Sequence, residues 1–250
     1  MNAYTHILVE KRAGVAHVIL NRPEKRNALG FGPGSSRDEI ARALAQADAD
    51  AEVGAAVLEA NGPAFCAGGD LSGLPPGEGA QQDVALIGMV DAFHANVRGF
   101  SKPLIAAVHG QCLGAAMGMI AQCDVVLAGS DARFGLPEGR FGHPGGSELV
   151  PLVGQAWAKF MIFSGELLDA HTAVEIGLAL AVLPAERLRE GAAALAERIA
   201  RMPRDAMRLN KSAIDRTAGG ALCRTPGGAL GRPRHQVDES PGLCARWAPL

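Results

Sequence analysis

Short apolar, β-rich runs over residues 7–10 and 15–20, joined by a Gly-containing turn, predict a β-hairpin. The polar stretch Asn21-Arg22-Pro23-Glu24-Lys25-Arg26-Asn27 reads as a loop. At Ser36 the period becomes helical: Ser36 and Glu39 fit a capping box, and Ile40, Leu44 and Ala47 follow on one face. Residues 53–59 read as a strand, Asn61-Gly62-Pro63 as a turn, and residues 64–70 as a loop of small residues. A helix is predicted over 81–99, with Val84, Ile87, Val90, His94 and Val97 facing inward. The apolar run 104–128 is long enough to raise a membrane span. His109, Gln111, Gln122 and Asp124 interrupt it, and Gly110 and Gly114 break it. It therefore reads as a buried strand, a turn, a buried helix and another strand. Strands and helices alternate in this way to about residue 155, which argues for an α/β layered core. Beyond it, residues 156–163 are apolar, Asp169 can cap a helix running to Ile176, and residues 184–201 and 204–216 are amphipathic. The expected division is a core over 1–200 and a C-terminal helical region over 201–250, atypical after 218.

Composition narrows the function classes. The 250 residues carry 24 Lys+Arg against 26 Asp+Glu, a net charge of -2. No basic stripe is present, so nucleic acid and membrane surface are not expected partners. The five cysteines (Cys66, Cys112, Cys123, Cys223 and Cys244) form no CxxC pair. With no cationic-then-apolar leader, the expectation is reduced thiols in a cytoplasmic protein. Residues 221–250 hold eight Pro or Gly, four Arg and two of the five Cys, without helical or strand period. Such a composition fits a mobile tail, or a change of reading frame in the coding sequence.

Two elements of small residues follow predicted strands: Ala64-Phe65-Cys66-Ala67-Gly68-Gly69-Asp70-Leu71, and His109-Gly110-Gln111-Cys112-Leu113-Gly114-Ala115-Ala116-Met117-Gly118. Side chains this small leave backbone N–H groups open to a ligand. Two such groups converging on one oxygen would form an oxyanion hole. The same pattern also serves tight turns and close packing. Neither element has the GxGxxG or GxxxxGK[ST] spacing of a nucleotide loop. Glu138, between Pro137 and Gly139 in a mostly apolar stretch, is a candidate base or a solvated loop residue. His109 and His143 read as structural, and Asp70 and Asp124 as turn or helix caps. No cluster has metal-ligand spacing, and no GxSxG nucleophile elbow occurs.

Taken in order, several segments together resemble the enoyl-CoA hydratase/isomerase (crotonase) family. They are Asn21-Arg22-Pro23-Glu24-Lys25-Arg26-Asn27-Ala28-Leu29, the first small-residue element, Lys102-Pro103 leading to His109-Gly110 and Leu113-Gly114, Cys123-Asp124, and Phe134-Gly135-Leu136-Pro137-Glu138. The resemblance covers about residues 5–215. It implies a superhelix of ββα units with a C-terminal helical region that forms a homotrimer or a dimer of trimers. It implies an acyl-CoA thioester substrate, with coenzyme A as part of that substrate and no metal or redox cofactor. The oxyanion-hole N–H groups fall on Gly69 and Ala115. Lys25 or Arg26 would lie near CoA phosphate and Ala28 would offer backbone contacts. Ala67, Gly68, Asp70, Leu71 and Gly114 would shape the thioester channel.

The resemblance also implies two glutamates in hydratases of this family. One matches Glu138; the other position is Gly118 here. The loop 139–147 is shorter than usual, and Ser72 stands where many members carry a basic residue. A single carboxylate suffices to move a β,γ double bond to α,β, so the expected activity is enoyl-CoA isomerisation with Glu138 as sole acid/base. The alternatives are a hydratase of reduced or altered activity and a non-catalytic acyl-CoA-binding protein.

Overall fold

The computed structural model describes residues 4–70, 72 and 80–221, with side chains described for 4–70, 72 and 87–217. Leu71 and the segment from residue 222 lie outside the described residues, and so does the expectation of a mobile tail. The chain opens with the predicted hairpin, β1 (Ile7–Arg12) and β2 (Val15–Leu20), paired antiparallel. Its turn places Ala13 and Gly14 both at positive φ, the combination a tight type I′ turn requires. Helix α1 (Ser36–Ala49) is capped one residue earlier than expected: the Ser35 side chain, not that of Ser36, accepts from the Asp38 N–H. Ser36 instead accepts from the Gly30 N–H. Glu39 turns away from the helix end and accepts the Thr5 and His6 N–H groups at 2.8 and 2.7 Å, fastening the start of β1 to α1.

Three ββα units follow. They are β3 (Ala55–Ala60), β4 (Ala64–Cys66) and α2 (Ala80–Arg98); then β5 (Leu104–Val108), β6 (Gln111–Leu113) and α3 (Ala115–Ile120); then β7 (Val125–Gly129), β8 (Arg133–Gly135) and α4 (Val150–Ser164). In each unit the first strand joins a six-stranded sheet of order β1-β2-β3-β5-β7-β10. The second strand joins a four-stranded sheet of order β4-β6-β8-β9. Strands β9 (Leu168–Asp169) and β10 (Ala181–Leu183) complete the two sheets. This alternation between sheets is the spiral of ββα units that the resemblance implies. Helix α5 (Ala170–Glu175) is capped by Asp169 as expected, its Oδ1 accepting the Thr172 N–H at 2.8 Å. Helices α6 (Leu188–Ala200) and α7 (Arg204–Ala221) follow. Lys211 on α7 donates to the Lys102 carbonyl and to Asp124 Oδ2.

The run 104–128 resolves into β5, β6, α3 and β7, whose apolar side chains are for the most part buried in the core. No described helix is long and apolar enough to cross a membrane. In α2, Val97 and His94 face inward as expected, but Ile87 is 46% exposed. The described inward side chains of α2 lie on the stripe that meets α1 and α3, and Ile87 lies outside it; the side chain of Val84 is outside the described residues.

The larger sheet carries a buried polar node. His17 Nε2 accepts from Arg12 Nε at 3.1 Å, so the Nδ1–H is left to donate to Glu59 Oε1 at 2.9 Å. Arg189 from α6 lies 3.5 Å from the other Glu59 oxygen. His17 and Glu59 are both almost fully buried. Removing one member leaves the others unsatisfied in a dry environment, so Glu59→Ala is expected to lose about 3 kcal/mol of stability. Urea denaturation would measure it; a loss under about 1 kcal/mol would mean that water replaces the carboxylate.

Candidate active site

Parallel strands present their C-terminal ends on one edge, and loops leaving that edge converge. In the smaller sheet, β4, β6 and β8 run parallel, with Cys66 opposite Cys112, Cys112 opposite Phe134, and Leu113 opposite Gly135. This register brings together the three segments that follow: 67–70, 114–115 and 136–138. The close approach rests on two glycines. A methyl group on Gly68 would sit 2.9 Å from the Leu113 carbonyl oxygen and 3.6 Å from the Ala115 nitrogen. Gly114 adopts φ 56, ψ -123, outside the range of an L side chain, and its N–H donates to the Gly135 carbonyl at 2.9 Å. Ala115 is the first residue of α3, so its N–H has no partner within the helix.

Glu138 stands across from Gly114. A methyl group there would collide with Glu138 Oε1 and lie 3.0 Å from its carboxyl carbon. Thus Gly114 alone admits the carboxylate beside the Ala115 amide. Glu138 is half-buried, and its Oε2 is shielded from solvent without a hydrogen-bond partner. Burial, then the nearby Glu148 charge, push its carboxyl above the usual carboxylate range, while its own backbone N–H and His143 oppose the shift. A carboxyl in such surroundings keeps its proton to a higher pH than a solvated glutamate does.

The 25–30 loop closes the opposite side. Leu29 pairs with Gly69 as a parallel bridge, with Leu29 N–H donating to the Gly68 carbonyl and Asp70 N–H to the Leu29 carbonyl. Ala67 N–H donates to the Arg26 carbonyl. Lys25 and Arg26 are exposed on a short 3-10 turn, Arg26 with positive φ. The Ala28 carbonyl accepts from Arg22 and its N–H donates to the Lys25 carbonyl. Arg22 also reaches Asp70 Oδ2 at 3.3 Å, clasping the two loops together. That residue is legible only as a loop cation in sequence. Arg37, on the first turn of α1 and unmarked by any local pattern, holds the Leu29 and Gly30 carbonyls through one nitrogen while Phe31 covers its guanidinium at 4.1 Å. Burial draws this guanidinium down to about 10, so it stays charged at neutral pH.

Gly118 is buried in α3, facing His94 of α2. A methyl group on it would meet His94 Cε1 and Nε2 at 2.6 and 2.7 Å, and Glu148 Oε1 at 3.5 Å. The imidazole therefore fills the place of the absent side chain. His94 Nδ1 lies 3.9 Å from Glu148 Oε1. Nothing in the local pattern marks Glu148, which sits in a Gly- and Ser-containing loop. Cys66 and Cys112 are fully buried; burial pushes the Cys66 thiol up to about 12 and that of Cys112 higher than usual, so both are packing residues rather than nucleophiles. Among the described residues no group of three His, Cys, Asp or Glu could hold a metal ion.

Fold and site thus define a spiral of ββα units with a carboxylate set against small-residue turns at one sheet edge. Residues 10–225 match the family described as enoyl-CoA hydratase/isomerase. The chain is 35% identical over 224 residues to the 2,3-dehydroadipyl-CoA hydratase of Escherichia coli K12, covering 87% of this chain and 85% of that one. Among solved structures, an enoyl-CoA hydratase/isomerase from Xanthobacter autotrophicus Py2 superposes with a TM-score of 0.78 at 33% identity, over 88% of this chain and 82% of that one. An enoyl-CoA hydratase from Mycobacterium avium does so with a TM-score of 0.73 at 28% identity, over 87% and 91%. The chain belongs to the enoyl-CoA hydratase/isomerase family.

Proposed function

We propose that the protein binds an enoyl-CoA against the edge of the smaller sheet, beside the 25–30 loop, and works through a thioester enolate. In this reading the N–H groups of Gly69 and Ala115 donate to the thioester oxygen, and Glu138 carries the proton. Each such donor stabilises a developing oxyanion by about 3 kcal/mol. The observation that supports the reading is the placement of a half-buried carboxylate, one oxygen unpartnered, against Gly114 and beside the first amide of α3. Lys25 and Arg26 are the cations available to CoA phosphate. The chemistry needs no cofactor beyond the CoA of the substrate. The apolar residues Phe141 and Phe163, 70% and 79% exposed, fit the self-association that the resemblance implies.

The reaction Glu138 performs unaided is the shift of a β,γ double bond to α,β. Its carboxylate takes the α-proton, the freed electron pair enters the thioester as an enolate, and the proton returns at the γ-carbon. Hydration is the second reading. It is favoured by the approach of Glu148 to Gly118 and by the hydratase names of the relatives.

The test offers the purified protein a 3-enoyl-CoA and a 2-enoyl-CoA. Isomerisation of the first is expected. Because the ionised form of Glu138 is the base, the rate should rise with pH through a titration above the ordinary glutamate range near 4.3. Turnover of neither substrate, with CoA still raising the melting temperature, would instead indicate a binding protein.

A further inference from the structure

We infer that Glu148, seated by His94, replaces the carboxylate missing at position 118 and activates water for addition to a 2-enoyl-CoA. The inference rests on the Glu138 reading above and adds a second proton-handling group to it.

Three observations converge. First, the space a side chain at 118 would enter is taken by the His94 ring, with Glu148 Oε1 3.5 Å from where the first side-chain carbon would lie. A carboxylate is thus delivered to that region from another element. Second, Glu148 is held in place. It lies on the 3-10 turn Ser147–Leu149 at the head of α4, anchored by the fully buried Leu149 and by Gly146 at φ 87 packed under Leu136. The preceding Gly145 faces Glu138, where a methyl group would lie 3.7 Å from its carboxyl carbon. The same short segment therefore wraps one carboxylate and carries the other. Third, the Glu148 side chain keeps 25% of its surface exposed, so water reaches it, whereas His94 keeps 5%.

Water addition then balances with two groups. Glu148 takes one proton from water as its oxygen bonds to the β-carbon. The double-bond electrons move onto the α-carbon and thioester oxygen, where the Gly69 and Ala115 amides hold them. Glu138, protonated, delivers its proton to the α-carbon. Exchange with solvent returns both carboxyls to their starting states. His94 touches no reacting atom in this scheme; it is a positioning residue that keeps Glu148 turned towards Gly118.

The experiment compares wild type, E148Q, E148D, H94Q and E138Q, each first checked for an intact thermal transition, with both enoyl-CoA substrates. Wild type is expected to hydrate. In E148Q the kcat for hydration should fall by about a hundredfold or more with KM nearly unchanged, so that the ratio of hydration to isomerisation falls with it. E148D, which keeps the charge, should recover part of the loss. H94Q should lower the hydration kcat about tenfold without moving KM. E138Q should depress both reactions. A wild type that isomerises but never hydrates, or an E148Q that hydrates at the wild-type rate, overturns the role of Glu148 and leaves Glu138 standing. An E138Q that still isomerises at the wild-type rate overturns the Glu138 reading itself.

Discussion

Replacing Glu138 by Gln is expected to lower the isomerisation kcat by about a thousandfold, within the range attributed to a positioned general base. The amide is isosteric and neutral, so the site should keep its shape. The donors assigned to the thioester oxygen are backbone groups that the substitution does not touch, and KM should change little. Stability gives an independent readout. The Glu138 carboxyl is held above its ordinary range by burial, so the folded state loses stability as pH rises through that raised value. Gln does not titrate and escapes the loss. The variant should therefore melt at or above the wild-type temperature near neutrality, with the advantage fading as pH falls. A steady-state comparison on a 3-enoyl-CoA decides the matter: retention of more than a tenth of the wild-type kcat would remove Glu138 from the proton-transfer step.

Gly114→Ala should have the next largest effect, and for a purely geometric reason. At φ 56, ψ -123 the backbone lies where only glycine is at ease, so the strain alone costs about 1–3 kcal/mol. The added methyl would also collide with Glu138 Oε1. Either the carboxylate swings away or the turn at 114–115 re-forms, and both separate the proton carrier from the Ala115 amide. A displacement of about 1 Å at such a site can cost a hundredfold in rate. We expect kcat to drop by at least that factor while the far-ultraviolet circular dichroism spectrum is retained, since the sheets do not depend on this residue. An active Gly114→Ala, at more than a third of the wild-type rate, would show that Glu138 does not work from its observed position.

The parts of this architecture set by local pattern were open to sequence reading. The hairpin, the alternation of strands and helices, and the breakage of the 104–128 run at Gly110 and Gly114 each follow from periodicities of a few residues. The Asp169 cap is local in the same way, because its carboxylate meets an N–H three residues on. Where neighbours compete, the local pattern misleads. Ser35 and Ser36 both suit a helix start, and Ser36 is taken by the Gly30 N–H. Glu39, apt for a capping box, does more for the fold by holding the start of β1. Ile87 has the spacing of a core residue but stands outside the stripe of α2 that meets its neighbours.

For the site, the sequence by itself determined the turns of small residues and the presence of Glu138 and the loss of a carboxylate at 118. Residue identity settles these, since only glycine tolerates the backbone at 114 and the crowding at 68. Only the tertiary structure decided what faces what. His94, Gly118, Glu138 and Glu148 belong to four separate segments, and their meeting depends on the register of β6 against β8 and on how α2 and the head of α4 dock on α3. No short-range period encodes such a meeting. It is the outcome of burying the apolar faces of those elements together, which brings these side chains from separate segments close to one another.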